Sequence, residues 1–227
     1  MVRKTAQIRI LTRSGLPFKD REEAGRLLAG ELSGYRDHNV VVVGIPRGGV
    51  VVASALAKGL DAPVDVILAH KLGAPGHEEL AIGAISEDGR MVLNQSLVHD
   101  LGVEDSFIAE EKERQMAEIR RRSFVFRRVH PKISLADKIV IVTDDGVATG
   151  ATTQAALWAV RAEKPQKLVA ALPVGPEDTI IRLAEDTDEL VCLKTPPYFA
   201  AVGQFFEHFM PVEDEEVVKI LEENRKR

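Results

Sequence analysis

Five short runs of consecutive apolar residues, rich in β-branched side chains, stand at 39–45 (NVVVVGI), 63–71 (PVDVILAHK), 138–143 (KIVIVT), 167–173 (KLVAALP) and 189–194 (ELVCLK). A strand with one wet face alternates apolar and polar residues, whereas a run that is apolar throughout requires cover on both faces. Between the runs the period turns helical. Asp20 and Glu23 read as a capping box ahead of an apolar face at Ala24, Leu27, Leu28 and Leu32. VVVASALAKGL follows the first run as a helix, Thr149 to about Glu163 the third, and PEDTIIRLAED the fourth. Residues 104–122 are charged and helical, and EDEEVVKILEENRKR closes the chain as another helix. Strands alternating with helices predict an α/β fold, a five-stranded parallel sheet flanked by helices. Off that pattern lie a loop at 73–79 (GAPGHEE) and a hairpin running from AIGAIS through EDGR to MVLN.

The 227 residues, 45% of them hydrophobic, suit one core rather than two independent domains. A net charge of -5 offers no general attraction to nucleic acid or to an anionic membrane. No apolar run approaches the roughly 18 residues of a membrane span. The single cysteine, Cys192, excludes an internal disulfide framework and reads as a small apolar residue of the fifth strand. The opening MVRKTAQIRILTR is basic without the apolar stretch of a signal peptide. It predicts a loose arm or an edge strand in a cytoplasmic protein.

In a doubly covered parallel sheet, ligands bind beyond the carboxyl ends of the strands, where the strand order reverses. Two strands end directly in glycine-containing loops that lead into helices: one at Ile45, followed by PRGG, and one at Thr143, followed by DDGVATGATT. In the second loop Gly146 and Gly150 allow tight turning, the helix start adds N–H groups and its positive end, and Thr149, Thr152 and Thr153 offer hydroxyls. Together these make a cradle for phosphate. The loop lacks the lysine of a Walker A motif, and no G-x-G-x-x-G fingerprint occurs. Asp144 and Asp145 repel each other, and nothing bulky nearby in sequence buries or pairs them. Their charge is wrong for the same phosphate, so they point to ligand hydroxyls or a hydrated Mg²⁺. A phosphate at one end with a diol or metal beside it describes a sugar phosphate.

An apolar run, two acids, three small residues and then T-G-x-T resembles the signature of the type I phosphoribosyltransferases, which bind phosphoribosyl diphosphate (PRPP). Thr143 stands where that family usually has an aliphatic residue. The resemblance implies that Asp144 and Asp145 hold the ribose 2′- and 3′-hydroxyls. It implies that Ala148, Thr149, Gly150, Ala151 and Thr152 cradle the 5′-phosphate, with Gly146 and Val147 in the same PRPP-binding loop. GIPRGG (44–49) looks like the family's short pyrophosphate-binding loop, which places Pro46, Arg47, Gly48 and Gly49 at the diphosphate with Arg47 as the cation. Lys71 matches a basic position that contacts the diphosphate. Arg47, Lys71, Asp144 and Asp145 are thus the candidate catalytic residues. Mg²⁺ would arrive with PRPP, held by the protein at most through Asp144 and Asp145, and the six histidines show no ligand spacing for zinc.

GIPRGGVVVASALA, HKLGAPGHEELAIGAI and VTDDGVATGA together are similar to a subgroup of bacterial and archaeal phosphoribosyltransferases with an unsettled acceptor, over most of residues 18–220. PPYFAAVGQFFEHF (196–209) is similar to the hood that covers the base in purine enzymes, with Phe199, Val202 and Phe205 as candidates to meet it. Glu207, four residues after Gly203, has the spacing of an acid that the purine family sets near the base. His208 takes that place if the register slips by one. Ala148 stands where 6-oxopurine enzymes usually carry an acid, which weakens that particular assignment. The resemblance implies transfer of phosphoribosyl from Mg²⁺–PRPP to a nitrogen acceptor, a purine nucleobase over orotate, in nucleotide salvage by a cytoplasmic homodimer. It implies one domain over 1–227, with a core at about 18–94 and 133–194, a helical insertion at about 95–132, and a hood at about 195–210 plus the N-terminal arm.

A non-catalytic PRPP sensor or RNA-binding regulator would keep the cradle without needing Arg47, Lys71 and a hood together. Arg120, Arg121, Arg122, Arg127, Arg128 and Lys132, with Phe124 and Phe126 interleaved, leave open an RNA-contacting patch, a solvated helix or a subunit contact. His77, Glu78 and Glu79 are either lid or general-base residues or a solvated loop tip.

Overall fold

The structure, a computed structural model, describes residues 6–225. In chain order it runs β1 (Gln7–Thr12), α1 (Arg21–Glu31), β2 (Val40–Gly44), α2 (Gly48–Leu60) and β3 (Val64–Val66). Then come β4 (Ala69–Ala74), β5 (His77–Ser86), β6 (Met91–Leu93), α3 (Gln95–Asp100) and α4 (Asp105–Arg127). The rest alternates as β7 (Ile139–Thr143), α5 (Ala151–Ala162), β8 (Lys167–Val174), α6 (Glu177–Ala184) and β9 (Glu189–Lys194), with α7 (Asp214–Arg225) last. No described helix is long and apolar enough to cross a membrane.

Six strands, not five, form one parallel sheet in the order β1-β9-β8-β7-β2-β3. The extra strand is β1, which pairs with β9 at the sheet edge, Gln7 opposite Glu189 and Thr12 opposite Lys194. Its polar and charged residues suit an edge, so its composition lacks the mark of a strand buried on both faces. The run at 63–71 is not one strand either. Only Val64–Val66 pairs with β2, after which the chain enters β4 of a separate antiparallel sheet, β4-β5-β6. Residues 73–79 therefore belong to the β4–β5 hairpin, Ala74 opposite His77, rather than to a loop. A continuous apolar run carries no mark of a bend, which is why the two strands merge in sequence.

At the start of α1 the Glu23 N–H donates to Asp20 Oδ1 at 2.8 Å and the Lys19 N–H to Glu23 Oε2 at 2.6 Å. Leu27 is 47% exposed rather than on the buried face. The buried face is Ala24, Gly25, Leu28 and Ala29, because α2 approaches until a Cβ on Gly25 would lie 2.5 Å from the Val52 carbonyl oxygen.

Strand period two divides the core. Val40, Val42, Ile141, Val169 and Ala171 face the layer shared with α1 and α2, whereas Val41, Val43, Val140, Val142, Leu168 and Leu172 face that of α5 and α6. Both layers are apolar, which explains why these strands show no alternation. Cys192 lies in the second layer, and burial pushes its thiol up to about 12, so it is inert as a nucleophile.

The helix α4 is tied down at its end. Arg127 pairs with Asp65 at 2.6 Å and Glu87 at 2.7 Å. Arg121 and Arg122 bond Glu118, Lys132 bonds Glu163, and Arg120 approaches Glu113 at 4.0 Å. Phe126 is buried, leaving Arg128 over the exposed ring of Phe124 at 5.5 Å. The basic stretch is mostly spent on ion pairs within the chain.

Topology positions the site. After the antiparallel sheet and α4, the chain re-enters the main sheet on the other side of β2, as β7. Strand order reverses between β2 and β7, whose last residues, Gly44 and Thr143, lie side by side.

Candidate active site

Two loops meet beyond Gly44 and Thr143. The first contains a cis peptide bond between Pro46 and Arg47 and enters α2 at Gly48. It abuts the second with no room for side chains. A Cβ on Gly48 would fall 1.9 Å from Asp145 Oδ2, and one on Gly49 would fall 2.8 Å from Asp144 Cα. The second loop enters α5 through Gly150, whose φ of 78° lies in the left-handed region that favours glycine.

The second loop is held by its carbonyl groups. The Val147 N–H donates to the Val174 carbonyl at 2.9 Å, fixing the loop to β8. From α6, Thr179 Oγ1 donates to the Ala148 carbonyl at 3.1 Å and Arg182 Nη2 to the Thr149 carbonyl at 2.5 Å. Among the described residues, the N–H groups of Ala148, Thr149 and Gly150 donate to no protein acceptor. Unpaired N–H groups leading into a helix start make an anion site. Thr152 is exposed in the first turn of α5, but Thr153 is 2% exposed, which removes it from the expected hydroxyls. Thr179 and Arg182 escaped the sequence reading because they act on backbone atoms far away in the chain, a role with no local motif.

Asp144 and Asp145 are half-buried, and the Asp145 N–H donates to Asp144 Oδ1 at 2.8 Å. Contrary to expectation the pair has a cation. Arg21, the first residue of α1, donates from Nε to Asp145 Oδ2 at 2.8 Å. Burial pushes both carboxyls above the ordinary aspartate range. The charge of Asp145 raises Asp144 further, while Arg21 restrains the rise at Asp145. Among the described residues no group of three or more His, Cys, Asp or Glu could hold a metal. Mg²⁺ is commonly held by one or two carboxylates together with oxygens of a phosphate ligand, and this pair fits such a share.

The two expected diphosphate cations both carry carboxylates. Arg47 pairs with Glu213 at 2.5 Å, and Lys71, on β4, pairs with Glu79 Oε1 at 2.7 Å. Glu79 Oε2 also accepts from Thr149 Oγ1 at 3.2 Å. Glu79 is therefore no loop tip: it stands on β5 between a cation and the phosphate cradle, where a ligand oxygen could replace it. Its bond to Lys71 holds its carboxyl below the usual range. An ion pair so exposed is worth about 0–1 kcal/mol. Glu79→Gln should therefore tighten pyrophosphate binding by up to about fivefold, measured by calorimetry. Equal or weaker binding would show that Glu79 does not compete for that place.

The hood reaches the loops through Val202, whose Cγ1 lies 2.6 Å from where a Cβ on Gly146 would stand. Phe199 is half-buried, with its ring centroid 5.1 Å from that of Phe205. Phe205 is 2% exposed and supports the hood from the core, so it offers no free face to a base, contrary to expectation. Glu207 and His208 are exposed, and their N–H groups zip the hood to the Phe18 and Lys19 carbonyls at 2.8 and 3.0 Å. Neither side chain hydrogen-bonds to the two loops among the described residues. A cavity of about 500 Å³ lined by Arg13, Glu177, Asp178, Thr195 and Phe199 opens beside the hood. A larger one, of about 670 Å³, lies between α1, α2 and α7 and touches neither loop.

A family model described as the phosphoribosyl transferase domain matches residues 19–204. Two Mycobacterium tuberculosis proteins, from strains CDC 1551 and H37Rv and each named "Putative phosphoribosyl transferase", are 45% identical over 205 residues. The match covers 90% of this chain and 46% of theirs, so the chain spans about half the length of the curated relatives it matches. The crystal structure of TT1426 from Thermus thermophilus is similar with a TM-score of 0.87 and 42% identity, covering 92% of this chain and 99% of that one.

Proposed function

We propose that this chain, which belongs to the phosphoribosyl transferase family, transfers the phosphoribosyl group of Mg²⁺–PRPP to a ring nitrogen of a nucleobase and releases pyrophosphate. One observation carries the reading. The unpaired N–H groups of 148–150 follow the acid pair after only Gly146 and Val147, at the point where the strand order reverses. That is an anion cradle next to hydroxyl acceptors, the two ends of a ribose 5-phosphate.

In the reaction the bond from C1 of the ribose to the diphosphate oxygen breaks, a C1–N bond forms, and the acceptor nitrogen loses its proton. The ribose becomes cationic as negative charge gathers on the departing diphosphate. Arg47 and Lys71, released from Glu213 and Glu79, would meet that charge, and preorganised donors of this kind act where charge develops. Bound Mg²⁺, shared between the ligand and the Asp144–Asp145 pair, would neutralise part of the same charge. The acid pair and the cradle would contribute positioning. Phe199 and Val202 suit a flat ring, with stacking worth about 1–3 kcal/mol per base. Glu207 is the candidate to choose a purine over orotate, whose own carboxylate it would repel. The same reading makes the chain one domain of a cytoplasmic salvage enzyme that pairs with a second copy of itself.

Arg47→Ala tests the assignment of the PRGG loop. A hydrogen bond to a charged group is worth about 1.5–3 kcal/mol, so pyrophosphate release should fall roughly 10- to 100-fold. Binding of ribose 5-phosphate, which has no diphosphate, should stay within about twofold. Unchanged pyrophosphate release would make the loop structural and count against transfer chemistry.

A further inference from the structure

We propose that Arg21 is a positioning residue that couples Asp145 to the hood, so that the placement of the Asp145 carboxylate sets the order of residues 205–210. The consequence for substrate rests on the reading of Asp145 as a ribose ligand, but the coupling itself rests on contacts within the protein. Arg21 is 8% exposed at the start of α1, just after the capping Asp20. Its Nε donates to Asp145 Oδ2 at 2.8 Å, its Nη1 donates to the Met210 carbonyl at 2.9 Å, and its carbon Cζ lies 3.8 Å from the ring centroid of Phe209. Phe209 stacks on Phe206 at 5.1 Å, and Phe206 meets Phe18 at 5.4 Å.

A guanidinium is planar and rigid, so its partners are held at fixed mutual angles. It cannot turn to follow Asp145 without leaving the Met210 carbonyl or the Phe209 face. It cannot shed its charge either, so in this half-closed place it depends on the Asp145 carboxylate. Asp144 makes no hydrogen bond or ion pair with Arg21 among the described residues and meets it only through its charge; its bond is to the Asp145 N–H. The two adjacent acids therefore have different duties, and only Asp145 reports to the hood. A ligand that fixes Asp145 would fix Arg21 and, through it, the wall against which an acceptor sits.

Hydrogen exchange at the N–H groups of Phe206, Glu207 and His208, which donate to the Gly203, Phe18 and Lys19 carbonyls, reads this coupling. In the ligand-free protein, Asp145→Asn should speed their exchange about tenfold, while Asp144→Asn should leave it within about twofold. Arg21→Lys keeps a charge but loses the fork and the ring, and should speed the same three groups about as much. Should Arg21→Lys fail to fold, Phe209→Leu, which leaves the buried charge pair alone, must still speed them. Mg²⁺–PRPP added to the wild type should slow them. Equal effects of the two aspartate variants, or acceleration spread evenly over α1 and the core, would overturn the coupling and leave Arg21 as an ordinary buried ion pair. The variant comparisons need no ligand, so failure of PRPP to bind would sink the reading of the site without altering them.

Discussion

Asp144→Asn is expected to weaken PRPP binding roughly 10- to 100-fold, and at neutral pH to raise the melting temperature of the ligand-free chain by about 2–4 °C. The loss follows from removing a charged acceptor for a ligand hydroxyl or for Mg²⁺. The gain in stability has the opposite origin. Burial, then the neighbouring charge of Asp145, push the Asp144 carboxyl above the ordinary range. The unfolded chain ionises this group near pH 4, before the folded chain does. Stability is therefore lost as pH rises through that window and the cost is complete above the folded value. Asparagine removes it, a gain of about 1 kcal/mol being typical when a cost held at a functional site is relieved. Below about pH 4 the difference in melting temperature should vanish. Replacing both acids is a poorer experiment, because Asp145→Asn leaves Arg21 without its carboxylate. Unchanged PRPP affinity in Asp144→Asn, or a melting temperature that falls, would contradict this account.

Gly49→Ala should damage turnover far more than one added methyl group would at an open position. The new Cβ would lie 2.8 Å from Asp144 Cα and 3.0 Å from the Thr143 carbonyl oxygen, both backbone atoms of a strand end fixed beside β2. No flexible side chain can yield, so the two loops must part. Overpacking of this kind costs about 1–3 kcal/mol, or about 3–10 °C in melting temperature for a chain of this size. Turnover should fall about 100-fold or more, since a displacement of about 1 Å at a reacting centre costs that much. Gly15, where an added Cβ meets nothing within 4 Å, is the control, and Gly15→Ala should melt within experimental error of wild type. A Gly49→Ala variant with normal turnover would show that the close approach of the loops is dispensable.

How far the sequence could be read depends on the range of the interactions involved. The apolar runs gave the parallel sheet because burial on both faces leaves its mark in each strand's own residues. The strand β1 was read only as a loose arm or an edge strand, because an edge strand has no such mark to count it into the sheet, and β4 merged with β3 because an apolar run does not record where it bends. The cradle was legible in DDGVATGATT because glycines, threonines and a helix start act locally. Arg21, Thr179 and Arg182 were not, because each meets the loop from a remote part of the chain. Glu79 looked like a loop tip until β5 placed it between Lys71 and Thr149. Phe205 looked like a stacking face because composition cannot tell a core ring from an open one.

The most direct measurement is pyrophosphate release from Mg²⁺–PRPP by the wild-type chain, offered adenine, hypoxanthine, guanine, xanthine, uracil and orotate in turn. Release that depends on a purine, matched by formation of its nucleotide and reduced at least tenfold in Arg47→Ala, is the result expected. Absence of PRPP binding by calorimetry, or release with orotate and with no purine, would contradict the account.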